Sequence, residues 1–268
     1  MTDLDAVFAD KVPELYDKYL VPLIFDQYAR EVANRVASLA PKTVLEIAAG
    51  TGAVTRAVAP LLRESRIIAT DLNQGMLDRA ASTTHSPNVE WQLADALDLP
   101  FDDGSFDAVI CQFAAMFFPD RIKGFSEARR VLRKGGVFIF SVWDRIEENE
   151  FADIVTQSMA EMFPHDPPRF LARTPHGYFD PDQILSDVKR GGFASPHLDT
   201  IPERSRADSP RIPAIAYCEG TPLRNEILAR DAARLEEATD IATDALRRAF
   251  GAGPVDGKIQ AHVITTIA

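Results

Sequence analysis

The sequence alternates between short apolar runs and helix-length segments from about residue 26 to residue 145, and this alternation strongly constrains the fold. Five runs have the length and composition of buried strands: residues 43–48, 66–71, 89–95, 107–112 and 137–143. Consecutive strands that are joined by helices are parallel, and the helices cover both faces of the sheet. The pattern therefore predicts a doubly wound α/β fold.

Helix signals fill the segments between these runs. A helix over residues 26–41 has Asp26 as a candidate N-terminal cap and Pro41 as its end. A later helix is expected to end at Gly135 and Gly136, since glycine is common just after the last helical turn.

After residue 145 the alternation becomes less regular. Five prolines between residues 164 and 181 exclude a long helix there and predict a structured loop. Beyond the loop, the patterns predict a helix over 181–193, a strand over 196–207, a long helix over 223–250 and a final strand over 258–268. The predicted organisation is an N-terminal cap (1–25), a core (26–145) and a region (146–268) that completes a mostly parallel seven-stranded sheet and carries lid insertions at 146–180 and 208–257.

Composition excludes several classes of function. A formal net charge of −11 and a pI near 5.0 disfavour nucleic-acid binding, which needs clustered Lys and Arg. Cys111 and Cys218 are too few for a disulfide framework, and neither a signal peptide nor a membrane-spanning apolar run is visible. We therefore expect a cytoplasmic protein without a membrane partner. The five histidines lack metal-ligand spacing, so we expect no metal site.

The turn after the first strand carries the strongest functional signal. It reads Ala48-Ala49-Gly50-Thr51-Gly52, and Asp71 ends the second strand 19 residues after Gly52. An acid at about this interval binds ribose hydroxyls in nucleotide-binding folds. The third glycine of a dinucleotide fingerprint is absent, and no Lys follows Gly52 as a P-loop requires. The turn therefore suits an adenosyl ligand without a pyrophosphate.

Four motifs together resemble one family, the class I S-adenosylmethionine-dependent methyltransferases, in the branch that includes the ubiquinone and menaquinone C-methyltransferases. The motifs are VLEIAAGTG, IIATDLNQGML, VEWQLADALDLPFDDGSFDAV and EARRVLRKGGVFIFSVW, within residues 43–143. Ala48 departs from the pattern, because it replaces the first glycine of the family's turn. The resemblance implies a Rossmann-like methyltransferase fold, S-adenosylmethionine as cofactor and a small-molecule acceptor.

The resemblance also implies roles around the cofactor. Asp71 would accept both ribose hydroxyls, and Asp95 would accept from the adenine amino group. The other implied cofactor-binding residues are Tyr19, Glu46, Ala48, Gly50, Thr51, Gly52, Leu72, Met76, Ala96, Leu97, Gln112 and Phe113. Alternatives remain open: Asp71 could cap the next helix, Asp95 could form a turn, and Met76 could be core.

The motifs give less support for predicting which residues bind the methyl acceptor. Candidate substrate residues are Tyr16, Phe117, Arg169, Arg173 and Tyr178. His176 and Tyr19 are candidate catalytic residues, and His176 could be a general base because histidine titrates near neutrality. Each has a structural alternative, namely packing for the aromatic residues, ion pairs for the arginines and a turn position for His176.

The expected function is methyl transfer from S-adenosylmethionine to a small molecule, driven mainly by alignment of the reactants. The oligomeric state is left open. Neither D-P-P-Y nor N-P-P-Y follows the fourth strand, which disfavours DNA amino-methylating enzymes. Two alternatives are a nicotinamide-dependent oxidoreductase and a non-catalytic adenosyl-binding regulatory module.

Overall fold

The computed structural model describes residues 12–268, and side chains from residue 14 onwards. The part of the predicted cap before residue 12 lies outside the described residues. The chain forms two compact units. The first unit comprises Met1–Phe25, described from residue 12, with Trp143–Tyr178 and Pro202–Gln260; the second comprises Asp26–Val142, Phe179–Ile201 and Ala261–Ala268.

Seven strands form one mostly parallel sheet, which confirms the predicted fold class. The strands are β1 (Thr43–Glu46), β2 (Arg66–Asp71), β3 (Val89–Leu93), β4 (Phe106–Gln112), β5 (Leu132–Trp143), β6 (His197–Ala207) and β7 (Val255–Ile267), in the spatial order β3-β2-β1-β4-β5-β7-β6. The pairs among β1 to β5 are parallel. The carboxyl ends of these strands therefore lie along one edge, where ligands bind in open α/β sheets.

Helices occupy most of the remaining chain. They are α1 (Val12–Leu15), α2 (Asp26–Ser38), α3 (Ala53–Val58), α4 (Gln74–Thr83), α5 (Arg121–Val131), α6 (Glu150–Met162), α7 (Phe170–Arg173), α8 (Pro181–Arg190), α9 (Arg211–Cys218), α10 (Leu223–Arg230) and α11 (Leu235–Phe250). A π-helical stretch, Tyr16–Phe25, joins α1 to α2. No helix in the described part of the chain is long and apolar enough to cross a membrane.

Apolar side chains on both faces of the sheet form the core of the second unit. Val32 of α2 and Val54 of α3 belong to a buried cluster that includes Val44, Ile110 and Ile139 of the strands. On the other face, aromatic rings pack together; they belong to Phe125, Phe138, Phe140 and Phe193. Each such side chain contributes about 1.5–3 kcal/mol by burial, so the core holds the strand ends in fixed register.

Three predicted boundaries are wrong. Asp26 does not cap a helix, because the helical run continues through it from the π-helical stretch. Gly135 and Gly136 lie within β5, where Gly135 donates to the Ala268 carbonyl and Ala268 donates to the Gly136 carbonyl. The predicted long helix over 223–250 is interrupted at Asp231, whose side chain accepts from the amide of Ala233 and starts a new turn.

Candidate functional site

The turn after β1 is folded by left-handed backbone conformations. The φ angles are 54° at Ala48, 57° at Gly50 and 82° at Gly52. The Ala49 amide donates to the Thr70 carbonyl at 2.8 Å, which ties the turn to the end of β2. A positive φ is unusual at Ala48 and is a strain that often accompanies a functional site.

The two glycines of the turn are needed for different reasons. A Cβ atom at Gly52 would lie 2.8 Å from Cη2 of Trp91, so packing against β3 requires glycine there. A Cβ atom at Gly50 would meet nothing within 4 Å among the described residues. The small residues therefore serve both the core and an open surface, and the open space at Gly50 gives a ligand room to approach the backbone.

Asp71 connects this turn to the following loop. One carboxylate oxygen, Oδ2, accepts from the Gly50 amide, and Oδ1 accepts from the Asn73 amide, both at 2.8 Å. Burial raises the pKa of Asp71, and hydrogen bonds from the Asn73, Gly50 and Leu72 amides oppose that rise. A carboxylate has about four lone-pair sites, so Asp71 is oriented by the backbone and retains acceptor capacity.

The alternative role of Asp71 as a helix cap is filled by another residue. The Asn73 side chain accepts from the Met76 amide at 3.2 Å and caps α4. Asp71 instead fixes the two loops beside the carboxyl ends of β1 and β2. The ribose role of Asp71 stays a prediction.

Glu46, at the end of β1, is a second carboxylate near the turn. It is 2% exposed, and its Oε2 accepts from the Thr55 hydroxyl at 2.5 Å. Burial raises the pKa of Glu46 to about 8; the Thr55 hydrogen bond and Arg56 oppose this rise, and Asp71 adds to it. The two carboxylates disfavour a phosphate and favour a neutral or cationic group at this edge.

The candidate adenine-side residues differ in accessibility. Leu72 is 69% exposed beside Asp71, whereas Met76 is 4% exposed and packs in the core. Asp95 is exposed, and its Oδ1 accepts from the Leu97 amide at 2.8 Å, so it does form a turn. Ala96, between them, is half-buried. Leu72 is therefore more available to a ligand than Met76.

The carboxyl end of β4 and the turn that follows it also contribute polar and strained residues to this edge of the sheet. Phe113 has φ 51° and contacts Tyr28 edge to face, with ring centroids 5.3 Å apart. Phe117 is half-buried in a single 3₁₀ turn. The Thr51 hydroxyl and the Gln112 Oε1 are buried and have no hydrogen-bond partner within residues 12–268.

These features fit an adenosyl amino acid. Buried polar atoms are nearly always hydrogen-bonded in folded proteins, so Thr51 and Gln112 call for a ligand or ordered water. Asp71 offers a fixed acceptor for hydroxyl groups, and the open face of Gly50 admits a ligand close to the backbone. A cationic sulfonium or ammonium group suits this edge, because it would be attracted to the Asp71 carboxylate and would favour ionisation of the buried Glu46.

The N-terminal candidates lie in the first unit, on the π-helical stretch. Tyr16 stacks on Phe25, with ring centroids 5.3 Å apart, and the Lys18 amine lies 4.8 Å from the Tyr19 ring centroid. Both tyrosines are half-buried. π-Helical turns are uncommon and frequently occur at functional sites.

The arginine candidates of the first unit surround a buried carboxylate. Glu226 accepts from the Arg169 amide at 2.7 Å and from Arg173 Nη1 at 2.8 Å. Glu226 also accepts from the Phe170 amide at the start of α7, so this cluster stabilises the fold of the loop. Arg173 is therefore engaged by an ion pair, as its structural alternative predicted, and Tyr178 is buried.

His176 is also built into the first unit. Its Nδ1 lies 2.8 Å from the Asp144 carbonyl oxygen, which can only accept, so Nδ1 carries the proton and Nε2 the lone pair. Burial lowers the pKa of His176 to about 4, against the Asp144 carbonyl and the charges of Asp144 and Glu147. A neutral imidazole with so low a pKa is a weak base at pH 7, which favours a structural role.

The sequence analysis missed three residues at this edge. Trp91 dictates glycine at position 52, Thr55 holds Glu46, and Ser141 lies beside Gln112 in the register of β4 and β5. Ser141 had a readable signal, since it is the only polar residue in the apolar run VFIFSVW. The Gly52–Trp91 contact joins residues far apart in the sequence, whereas the Thr55–Glu46 hydrogen bond spans the turn between β1 and α3. Among the described residues, no group of three or more His, Cys, Asp or Glu could hold a metal ion.

Comparison with known proteins also points to a methyltransferase. A family profile described as a methyltransferase domain matches residues 45–140. A demethylmenaquinone methyltransferase of Clavibacter sepedonicus is 38% identical over 131 residues, which cover 47% of this chain and 53% of that protein. The chain thus spans about half the length of that relative. A malonyl-[acyl-carrier protein] O-methyltransferase of Geobacter sulfurreducens is 28% identical over 200 residues, covering 71% and 72%.

A solved structure confirms the fold. The YcgJ protein of Bacillus subtilis aligns with a TM-score of 0.56 and 21% identity, over 90% of this chain and 98% of that one. The seven-stranded sheet, the glycine turn and the acid after β2 agree with this relationship. Residues 45–140 match a methyltransferase domain, the fold is that of the class I S-adenosylmethionine-dependent methyltransferases, and the chain is similar in sequence to the menaquinone methyltransferases.

Proposed function

We propose that this protein transfers a methyl group from S-adenosylmethionine to a small-molecule acceptor. The observation that carries the proposal is the Asp71 carboxylate, which the Gly50 and Asn73 amides orient at the carboxyl edge of the sheet. S-adenosylmethionine, when bound, would supply a methyl group activated by its sulfonium, and S-adenosylhomocysteine would be the leaving group. The protein's own contribution is to bind, align and exclude water.

Within the second unit, each cofactor group has a candidate partner. Asp71 would accept from the ribose hydroxyls, and the exposed Leu72 would pack on the adenine. Thr51 would bond the amino-acid part, because its buried hydroxyl lacks a partner in the described chain, and Gln112 would lie near the methyl sulfonium. Glu46 is protonated at neutral pH in the ligand-free protein, and a nearby cofactor ammonium would favour its ionisation.

The candidate acceptor-binding residues differ in their availability to a ligand. The half-buried Tyr16 and Tyr19 are the better candidates, because Arg173 is held by Glu226 and Tyr178 is buried. His176 would orient its loop through the Asp144 carbonyl and contribute little as a base at neutral pH.

Calorimetric titration with S-adenosylmethionine, S-adenosylhomocysteine and NADH tests the proposal. We expect micromolar binding of the two adenosyl ligands and no heat from NADH. Binding of NADH alone would overturn the proposal in favour of an oxidoreductase. Adenosyl binding without release of S-adenosylhomocysteine, across acceptors of different chemistry, would favour a regulatory binding module.

A further inference from the structure

Ser141 is a buried polar residue at the carboxyl end of β5 that the cofactor assignment does not use. Its side chain is fully buried, and Oγ has no hydrogen-bond partner within the described chain. Ser141 pairs in register with Gln112 of the neighbouring strand β4, whose Oε1 is likewise buried without a partner. Two adjacent central strands therefore end in polar atoms whose hydrogen-bonding capacity is unused.

The two side chains lie on the same face of the sheet. Ile110 of β4 and Ile139 of β5 both belong to the cluster that α2 and α3 cover. Side chains two residues apart on a strand share a face, so Gln112 and Ser141 also point to this face. Desolvating such groups without partners is unfavourable, so packing alone does not explain this pair.

The backbone around the pair is fixed. The Phe113 amide donates to the Ser141 carbonyl at 3.0 Å, and Phe113 holds a positive φ of 51°. The Phe113 ring packs edge to face on Tyr28, which donates its hydroxyl to the Ile201 carbonyl. Strain that surrounding packing maintains in this way is typical of functional positions.

The position of Ser141 points to the acceptor more than to the cofactor. The strand order β2-β1-β4-β5 places Ser141 three strands from Asp71, about 14 Å at the usual strand spacing. Gln112 lies between them, and the family resemblance implies that this position is near the methyl sulfonium. Ser141 therefore lies beyond the expected reacting group, on the side away from the ribose.

We propose that Ser141, together with Gln112, positions the methyl acceptor by binding a neutral hydroxyl group on it. Gln112 Oε1 only accepts hydrogen bonds, whereas the Ser141 hydroxyl can donate one. A single hydroxyl oxygen can donate to Gln112 and accept from Ser141. A carboxylate cannot donate, and an ammonium group cannot accept. This inference rests on the proposed function and specifies its substrate class.

The first test concerns the Ser141 hydroxyl in the ligand-free protein. Because this hydroxyl is unsatisfied, Ser141→Ala should leave the melting temperature unchanged or raise it by up to ~3 °C. Thr266→Val is the matched control, since Thr266 on β7 also buries a hydroxyl without a partner among the described residues. A clear fall in melting temperature for Ser141→Ala alone would mean that the hydroxyl has a structural partner, and would overturn the proposal.

The second test measures head-group selectivity on protein saturated with S-adenosylhomocysteine. Equilibrium dialysis would compare 2-naphthol, 2-naphthoate, 2-naphthylmethylamine and naphthalene-2-thiol, which share a ring. We expect wild type and Thr266→Val to bind 2-naphthol most tightly, and Ser141→Ala to lose ~5–10-fold for 2-naphthol only. The affinity of Ser141→Ala for S-adenosylhomocysteine should stay within twofold of wild type.

The outcomes separate this inference from the proposed function. Absence of 2-naphthol binding, preference for another head group, or equal losses for all four compounds would overturn the inference while adenosyl binding still supports the methyltransferase. A large loss of S-adenosylhomocysteine affinity in Ser141→Ala would overturn it as well, by assigning Ser141 to the cofactor. Absence of adenosyl binding in wild type would refute both proposals.

Discussion

Replacement of Asp71 by alanine tests the centre of the proposed site. The carboxylate has two separable roles, since it holds the Gly50 and Asn73 amides and is proposed to accept from the ribose. Hydrogen bonds to a charged acceptor contribute about 1.5–3 kcal/mol each, and part of this is regained from water in the variant. We therefore expect Asp71→Ala to weaken cofactor binding by about 2–4 kcal/mol, roughly 30- to 1,000-fold in Kd.

A ligand analogue distinguishes the ribose contact from damage to the turn. Calorimetry would measure S-adenosylhomocysteine and its 2′-deoxy analogue against wild type and Asp71→Ala. In wild type, loss of the 2′-hydroxyl should weaken binding about 5- to 30-fold. In the variant, the two ligands should bind within about twofold of each other, because the Asp71 carboxylate that is proposed to accept from the 2′-hydroxyl is absent.

Asp107 provides the matched control. Its Oδ2 also accepts from two backbone amides, those of Lys42 and Thr43, but at the amino end of β4. Asp107→Ala should therefore lower stability without changing either ligand's affinity. If Asp71→Ala bound S-adenosylhomocysteine as wild type does, or still discriminated fully between the two ligands, the ribose assignment would be refuted.

Three further predictions use the same site and its surroundings. Gly52→Ala should lower the free energy of unfolding by about 1–3 kcal/mol, because the new Cβ would clash with Trp91 and φ is positive. Gly50→Ala should lower it by only about 1 kcal/mol, because φ is positive there but no neighbour lies within 4 Å. Denaturant titration of both variants checks this, and equal losses would contradict it. In the ligand-free protein, between pH 4.5 and about 8, Glu46 is protonated in the folded state and ionised in the unfolded state. The free energy of unfolding of wild type, relative to that of Glu46→Gln, should therefore fall as pH rises through this range. A parallel pH dependence of the two proteins in denaturant titrations would refute the raised pKa. His176→Ala should leave S-adenosylhomocysteine affinity within twofold of wild type, because the buried imidazole bonds the Asp144 carbonyl; a large loss of affinity by calorimetry would contradict this structural role. Wild-type stability relative to this variant should fall as pH drops from 6.5 towards 4, because only the unfolded histidine is then protonated.

Elements that depend on local pattern were predictable from the sequence. The five parallel strands and the helix over Pro181–Arg190 agree with periodicity and capping signals, because Asp180 does cap that helix. Wrong boundaries occurred where tertiary contacts overrode such signals. Gly135 and Gly136 read as a helix end, but hydrogen bonds with Ala268 at the other end of the chain place them in β5.

The candidate site divides in the same way. The sequence by itself determined the Gly-rich turn and the acid at position 71 and predicted an adenosyl ligand, since these depend on spacing along a βαβ unit. Only the tertiary structure decided that Trp91 fixes Gly52, that Glu226 engages Arg173, and that Ser141 lies beside Gln112. These relations join residues from 29 to 53 positions apart, and side-chain packing and strand register, which no local pattern encodes, bring them together.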